Sequence, residues 1–172
     1  KLQDAVGLNY TQHDVDGHIY SVHDQIESRG LWYNASIFER AGVSADVLKD
    51  WNSFGDAMTK IASLNDGTYG YIGGQGSSYI VNSIMASTKS GKKMLESELT
   101  EETINSDEFA NAFKTAAKLD QKNGSDHTTD DNGNLMAEFN TNGKVGVLFN
   151  GVWNASGIDA SLVDSIEPSL FP

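Results

Sequence analysis

The spacing of apolar and polar positions changes period several times along the chain. HIYSVH (18–23) is rich in strand formers and follows Asp16-Gly17, a turn signal, so it predicts a strand. The polar loop DQIESRG leads to LWY (31–33), a second short strand. The period then becomes helical. Asn34 stands where it caps a helix over ASIFERA, whose Ile37, Phe38 and Ala41 share one face, and Gly42 stands where the left-handed conformation ends it. Trp51, Phe54, Met58, Ile61 and Ala62 recur at helical spacing over about 51–63, with Asp50 as the cap. Asn65-Asp66-Gly67 stops that helix, and TYGYIG follows as a short strand.

Beyond it, Ile80, Val81, Ile84 and Met85 predict a buried helix over 78–88. Ser106 caps another. Asp107 and Glu108 lie in its first turn and Lys118 and Lys122 lie late, as the helix dipole favours. Its expected core face is Phe109, Ala112, Phe113 and Ala116, with Leu119 or Ala117, and Gly124 is its expected stop. After a loop rich in Asp and Asn, LMAEFNTNG predicts a short helix ended by Gly143. KVGVLFN is the strongest buried strand in the chain, GVWNASGID a turn into short helical pieces, and SIEPSLF a last strand. Strands alternating with helices predict an α/β domain with a largely parallel sheet. Ligands of open α/β sheets sit beyond the carboxyl ends of strands. Two such ends carry unusual residues: DQIESRG after HIYSVH, and NGVWN after KVGVLF.

Composition narrows the picture. The 172 residues suit one ordinary domain. No apolar run reaches the roughly 18 residues of a membrane span, so no direct membrane insertion is expected. The chain starts at Lys1 without a signal peptide, which fits a processed chain or a fragment. Twelve basic residues against 24 acidic give a net charge of −12, a field that repels nucleic acid and anionic lipid. The absence of cysteine removes disulfides, thiolate metal sites and cysteine nucleophiles.

Candidate chemistry falls mostly to bland readings. His13, His18 and His23 lie five residues apart among Asp14, Asp16 and Asp24. In a strand, residues five apart point to opposite faces, and on a helix they diverge by roughly 140°. A shared metal site is therefore disfavoured. TTDDNGNLMAEF (128–139) has a calcium-loop look, but Thr128 and Phe139 stand at the two anchoring positions, and Glu138 is off by one. GGQGSS (73–78) lacks both the dinucleotide and the P-loop pattern. It offers close backbone approach to a ligand, with neutral groups on Gln75, Ser77 and Ser78. Pairs such as Glu27 and Glu138 suit a glycosidase only as any two carboxylates among 24 do. The Asn-x-Ser/Thr triplets at Asn9, Asn34, Asn123 and Asn154 are near chance in a chain this rich in Asn, Ser and Thr.

Trp153 is more telling. It follows the best strand in an Asn150-Gly151-Val152-Trp153-Asn154 setting. An indole ringed by amides offers a flat apolar face with hydrogen bonds around it, which suits the C–H faces and hydroxyl rims of sugars. Its other reading is a core anchor.

The order of motifs resembles one family. DGHIYSVHDQIESRGLWYNASIFERAGV is similar to the hinge-proximal segment of family 1 extracellular solute-binding proteins, the sugar receptors of ABC importers. Asp50-Trp51-Asn52-Ser53-Phe54 resembles that family's Thr-Trp-Asp-Glu-Phe helix start. AEFNTNGKVGVLFNGVW resembles its signature ending in Gly-x-Trp, and GIDASLVDSIEPSLFP the stretch that follows. The resemblance covers most of residues 14–172. It implies a type II periplasmic-binding-protein-like fold whose second lobe is a three-layer α/β/α unit, incomplete here. Residues 1–23 would be hinge-proximal and 24–172 the major part of the C-terminal lobe, with the N-terminal lobe and a C-terminal segment absent.

The same resemblance implies binding of a sugar or oligosaccharide outside the cytoplasm, in the periplasm or by a lipoprotein anchored on the outer face of the cytoplasmic membrane, and its delivery to ABC transporter permease subunits. No enzyme activity and no cofactor are implied. A non-sugar solute or a sugar-processing glycosidase are the alternatives. Carried over residue by residue, Trp153 stacks on the sugar. Asp24, Gln25 and Glu27 line the cleft from the loop after the Ile-Tyr strand. Gln75, Ser77, Ser78 and Tyr79 face it from the loop after YGYIG, and Asn150 and Gly151 flank the tryptophan. His23 stands where the family has a proline, His18 where it has a lysine, and Asp50 where it has a threonine.

Overall fold

The structure, a computed structural model, describes residues 14–20, 27–72, 77–123 and 132–172. Two short strands, β1 (Asp14–Val15) and β2 (His18–Ile19), form an antiparallel hairpin. Asp16 and Gly17 turn it with φ of 53° and 77°, and two successive left-handed residues match the twist of paired strands. The strand predicted over 18–23 ends at Ile19, since Tyr20 is already outside it, and residues 21–23 lie outside the described residues.

Among the described residues the main sheet has four strands: β3 (Arg29–Asn34), β4 (Tyr69–Ile72), β5 (Val145–Gly151) and β6 (Ile166–Ser169). Their order is β4-β5-β3-β6. Every residue of β5 is buried, which explains its near-unbroken apolar run.

The largely parallel sheet expected from alternating elements is not what forms. β4 and β5 are parallel, but β3 runs antiparallel to both of its neighbours, β5 and β6. A single crossover helix returns the chain in its original direction. Two helices, α1 (Ala35–Ala41) and α2 (Trp51–Ala62), intervene between β3 and β4, and the chain re-enters the sheet reversed.

Local signals set the helix ends. The Asn34 side chain accepts from the Ile37 N–H at 3.2 Å, and Gly42, at φ 60°, closes α1. Asp50 accepts from the N–H groups of Asn52 and Ser53 at 3.0 and 3.1 Å and starts α2. Four helices separate β4 from the last turn before β5: α3 (Ser77–Ala86), α4 (Lys89–Leu95), α5 (Glu101–Ile104) and α6 (Asp107–Asn123). Helix α7 (Asn132–Asn140) then leads into β5.

Both faces of the sheet are covered, giving three layers. On one side Phe54, Met58 and Ile61 of α2 pack with Ile80 and Met85 of α3, Ala112 and Leu119 of α6, and Leu31, Tyr71, Val147 and Phe149 of the sheet. On the other, Leu135 and Phe139 of α7 meet Ile72, Leu148 and Ile166. Alternate residues of one strand thus serve opposite cores, as Tyr71 and Ile72 or Phe149 and Leu148 do.

One expected core residue is outside. Phe113 is 51% exposed. Ala112, Ala116 and Leu119 define the buried stripe of α6, and a residue one position on from Ala112 is rotated by about 100° from it. Phe113 instead packs its ring on Phe109, 5.2 Å away, on the flank of the helix.

Candidate functional site

The carboxyl end of the central strand carries the site. Asn150 and Gly151 end β5, and the chain bends at once into a 3-10 turn over Val152–Gly157 that holds Trp153. Antiparallel pairing places Arg29, the first residue of β3, opposite Gly151. Trp32 fastens the two strands by donating its indole N–H to the Gly151 carbonyl at 3.1 Å.

The tryptophan ring lies against Gly151. A Cβ on that residue would stand 2.0 Å from Cζ3 and 2.2 Å from Cη2 of Trp153, so only glycine admits the indole here. Trp153 is half-buried and belongs to neither hydrophobic core, whereas Trp51 packs on one core and Trp32 on the other. Of the two readings of Trp153, core anchor is the one this placement disfavours.

A buried amide network holds the turn. Asn140 and Asn154 exchange side-chain hydrogen bonds, each amide donating to the other's carbonyl at 3.0 Å. Asn150 donates to the same Asn154 oxygen at 3.2 Å, and its own oxygen accepts from the Gly151 N–H at 2.8 Å. All three asparagines are at most 5% exposed. The side chain of Asn150 is therefore turned into the interior, where it supports the strand end. Burial also removes the glycosylation triplets at Asn34 and Asn154 from contention, since both side chains are enclosed and hydrogen-bonded.

Arg29 joins the aromatic groups. Its guanidinium carbon lies 4.4 Å from the centre of the Tyr79 ring and 5.8 Å from that of Trp153. Tyr79 comes from α3, so strand, helix and turn converge on one cation. Arg29 is exposed and also lines a groove of about 320 Å³ with Ser28, Gly30, Gly151, Val152 and Leu170. Sequence reasoning missed Arg29. The signal available was a single arginine placed where SRGLWY enters a strand, and nothing local tells that it lies opposite Gly151.

Of the other predicted residues, Glu27 is exposed, two residues before β3. The backbone of Ser77 and Ser78 opens α3. Asp24, Gln25 and Gln75 lie outside the described residues, as do His13 and His23. His18 is exposed on the hairpin with its ring 6.2 Å from that of Tyr20. Among the described residues no three acidic or histidine side chains form a metal-binding group, and no helix is long and apolar enough to cross a membrane.

Comparison with known proteins bears on family and fold. The comparison with curated proteins yields no match. A solute-binding protein from Streptococcus pneumoniae, solved in complex with the blood group A-trisaccharide, is 40% identical with a TM-score of 0.85, over 99% of this chain and 43% of that one. A probable secreted solute-binding lipoprotein from Streptomyces coelicolor is 14% identical with a TM-score of 0.76, over 99% of this chain and 44% of that one. A sugar transporter protein from Arthrobacter chlorophenolicus A6, with bound laminaribiose, is 21% identical with a TM-score of 0.71, over 95% and 41%. The chain thus spans less than half the length of these solved structures. The family model for bacterial extracellular solute-binding protein matches residues 12–169. The chain belongs to the family of bacterial extracellular solute-binding proteins.

Proposed function

We propose that this chain carries one wall of a sugar-binding cleft, in a receptor that captures a saccharide outside the cytoplasm and passes it to the permease of an ABC transporter. The observation that carries the reading is the position of Trp153. Its indole stands outside both cores, seated on Gly151 at the carboxyl end of the central strand, with Tyr79 nearby across Arg29. Flat aromatic faces at a strand end, rimmed by backbone and amide groups, complement the alternating C–H and hydroxyl surface of a sugar ring. The relative at 40% identity was solved with a trisaccharide, which supports the same ligand class here.

On this reading Trp153 stacks on the ligand and Tyr79 walls the cleft. Glu27, with Asp24, Gln25, Gln75, Ser77 and Ser78, supplies neutral and acidic hydrogen-bonding groups, and Gly151 lets the backbone approach. Asn150 acts through the shape of the turn. Recognition needs no covalent step, and closure of two lobes on the sugar reports occupancy. The receptor sits in the periplasm or is lipid-anchored on the outer face of the membrane.

Calorimetric titration of the complete receptor with mono- and oligosaccharides tests the proposal, with product analysis alongside. Saturable binding without turnover is the expected result. Release of a cleaved sugar would sink it in favour of a glycosidase. Because the cleft has a second wall, the 172 residues alone should bind far more weakly than the complete receptor. Micromolar or tighter affinity from them alone would contradict the two-walled cleft.

A further inference from the structure

We infer that Arg29 contacts the ligand directly, and that it reads a pair of adjacent oxygen acceptors on the saccharide. The inference rests on the sugar-cleft reading above and adds a residue to it.

Four observations meet at this side chain. Arg29 sits on β3 beside the central strand, opposite Gly151, so its backbone is fixed by the ladder rather than by a loop. Its guanidinium lies against the Tyr79 ring at 4.4 Å and near the Trp153 ring at 5.8 Å. It is exposed, and it lines the groove that opens at this end of the sheet. It also makes no hydrogen bond or ion pair with another described residue, in a chain with 24 carboxylates against 12 basic groups.

Stacking on aromatic faces holds a guanidinium in place while leaving its N–H edge free, because the π contact uses the face of the ion and its donors lie in the plane. That edge is a rigid fork of parallel donors. It matches two oxygens on neighbouring atoms: the vicinal hydroxyls of a neutral sugar, or the carboxylate of an acidic one. A sugar seated on Trp153 would present its rim to this fork.

The test uses the complete receptor. A glycan array holding neutral and uronic-acid saccharides selects the tightest ligand, which is then titrated calorimetrically against wild type, Arg29→Ala, Arg29→Lys and Trp153→Ala. Thermal midpoints serve as the folding control. Arg29→Ala should weaken binding roughly 10- to 100-fold, as expected for hydrogen bonds made by a charged donor, and leave the midpoint nearly unchanged. Arg29→Lys should recover only part, since an ammonium lacks the fork. Monodeoxy analogues of the selected glycan sharpen the assignment. For a diol, the two analogues that each lack one of the paired hydroxyls should lose affinity for wild type and lose none for Arg29→Ala.

Salt separates the two sources of paired oxygens. Affinity that falls with ionic strength identifies a carboxylate, and salt-independent affinity a diol. Unchanged affinity in Arg29→Ala, with binding weakened in Trp153→Ala, would overturn the role of Arg29 and leave the sugar cleft standing. If wild type retains no glycan at all, the sugar reading falls and takes this inference with it.

Discussion

Asn140, the last residue of α7, and Asn154, in the turn after β5, are joined by two reciprocal amide hydrogen bonds of 3.0 Å. Both are buried, so neither amide has water as an alternative partner. The pair brackets β5 and the turn that holds Trp153, and Asn150 joins it from that strand. Asn154→Ala would leave the side chains of Asn140 and Asn150 without their partner inside the protein. A loss of about 2–4 kcal/mol is expected, from unsatisfied buried amides. Urea denaturation monitored by circular dichroism measures it. A loss below about 0.5 kcal/mol would mean that the network relaxes or hydrates without cost.

Two glycines of β5 should respond differently to the same added methyl group. At Gly151 the methyl would meet the end of the Trp153 side chain, which is able to swing away. Gly151→Ala should therefore keep the fold, shift tryptophan fluorescence and weaken saccharide binding by the complete receptor. At Gly146 the methyl would stand 2.7 Å from the Gly70 carbonyl oxygen and 2.9 Å from Cδ1 of Ile61. A backbone oxygen in a parallel pair has nowhere to go, so Gly146→Ala should cost about 1–3 kcal/mol of stability. Thermal melts of both variants check the contrast.

Trp153→Ala in the complete receptor should reduce saccharide affinity by about 1–3 kcal/mol, by analogy with the stacking of bases on aromatic side chains. The unliganded stability should change little, because this indole serves neither core. Calorimetry with the selected glycan reads the first effect and thermal denaturation the second. An unchanged affinity would make Trp153 a structural residue.

Phe149 is the centre of the larger core. Its ring lies nearly parallel to those of Trp51 and Phe171, at 6.1 and 5.7 Å, and meets Phe54 and Tyr71 edge-on at 5.5 and 5.7 Å. It is fully buried. Phe149→Ala should cost about 3–5 kcal/mol, combining lost transfer energy with a cavity that four rings line. Denaturant unfolding gives the value, and a cost under about 2 kcal/mol would mean that the rings collapse into the space.

Tyr33 donates its hydroxyl to Glu167 at 2.5 Å, linking β3 to β6. The hydrogen bond to Glu167, with burial and the carboxylate charge, pushes its pKa up to about 12. Raised above its ordinary value of 10.0, the group adds stability that is fully present below pH 10 and is lost as pH rises towards 12. Ultraviolet titration of phenolate in wild type and Glu167→Gln should differ by one tyrosine, which ionises late in wild type. In Glu167→Gln it should return towards its ordinary value of 10.0. A titration unchanged by that substitution would break the assignment.

Local chemistry was legible in the sequence wherever a backbone conformation or a short-range hydrogen bond decided the structure. Asp16-Gly17 made the hairpin turn, Asn34 and Gly42 bounded α1, and Asp50 started α2, each through an interaction within a few residues. The unbroken apolar run of β5 identified the central strand, because burial on both faces leaves no polar alternation to read. The amide-rich setting after that strand drew attention to Trp153, and the family resemblance implied its role. Strand direction was not legible, since periodicity reports which faces are buried and not which way a strand is inserted; β3 lies antiparallel to β5. Nor was the edge of the α6 stripe, where one residue of rotation put Phe113 outside.

The site divides in the same way. The sequence determined that Trp153 follows a buried strand in an amide-rich turn. Tertiary structure alone decided that Arg29 stands opposite Gly151, that Tyr79 reaches the same cation, and that Asn140 clasps Asn154. Such contacts join positions far apart in the chain, and their energy appears only once the sheet and its covering helices have brought them together.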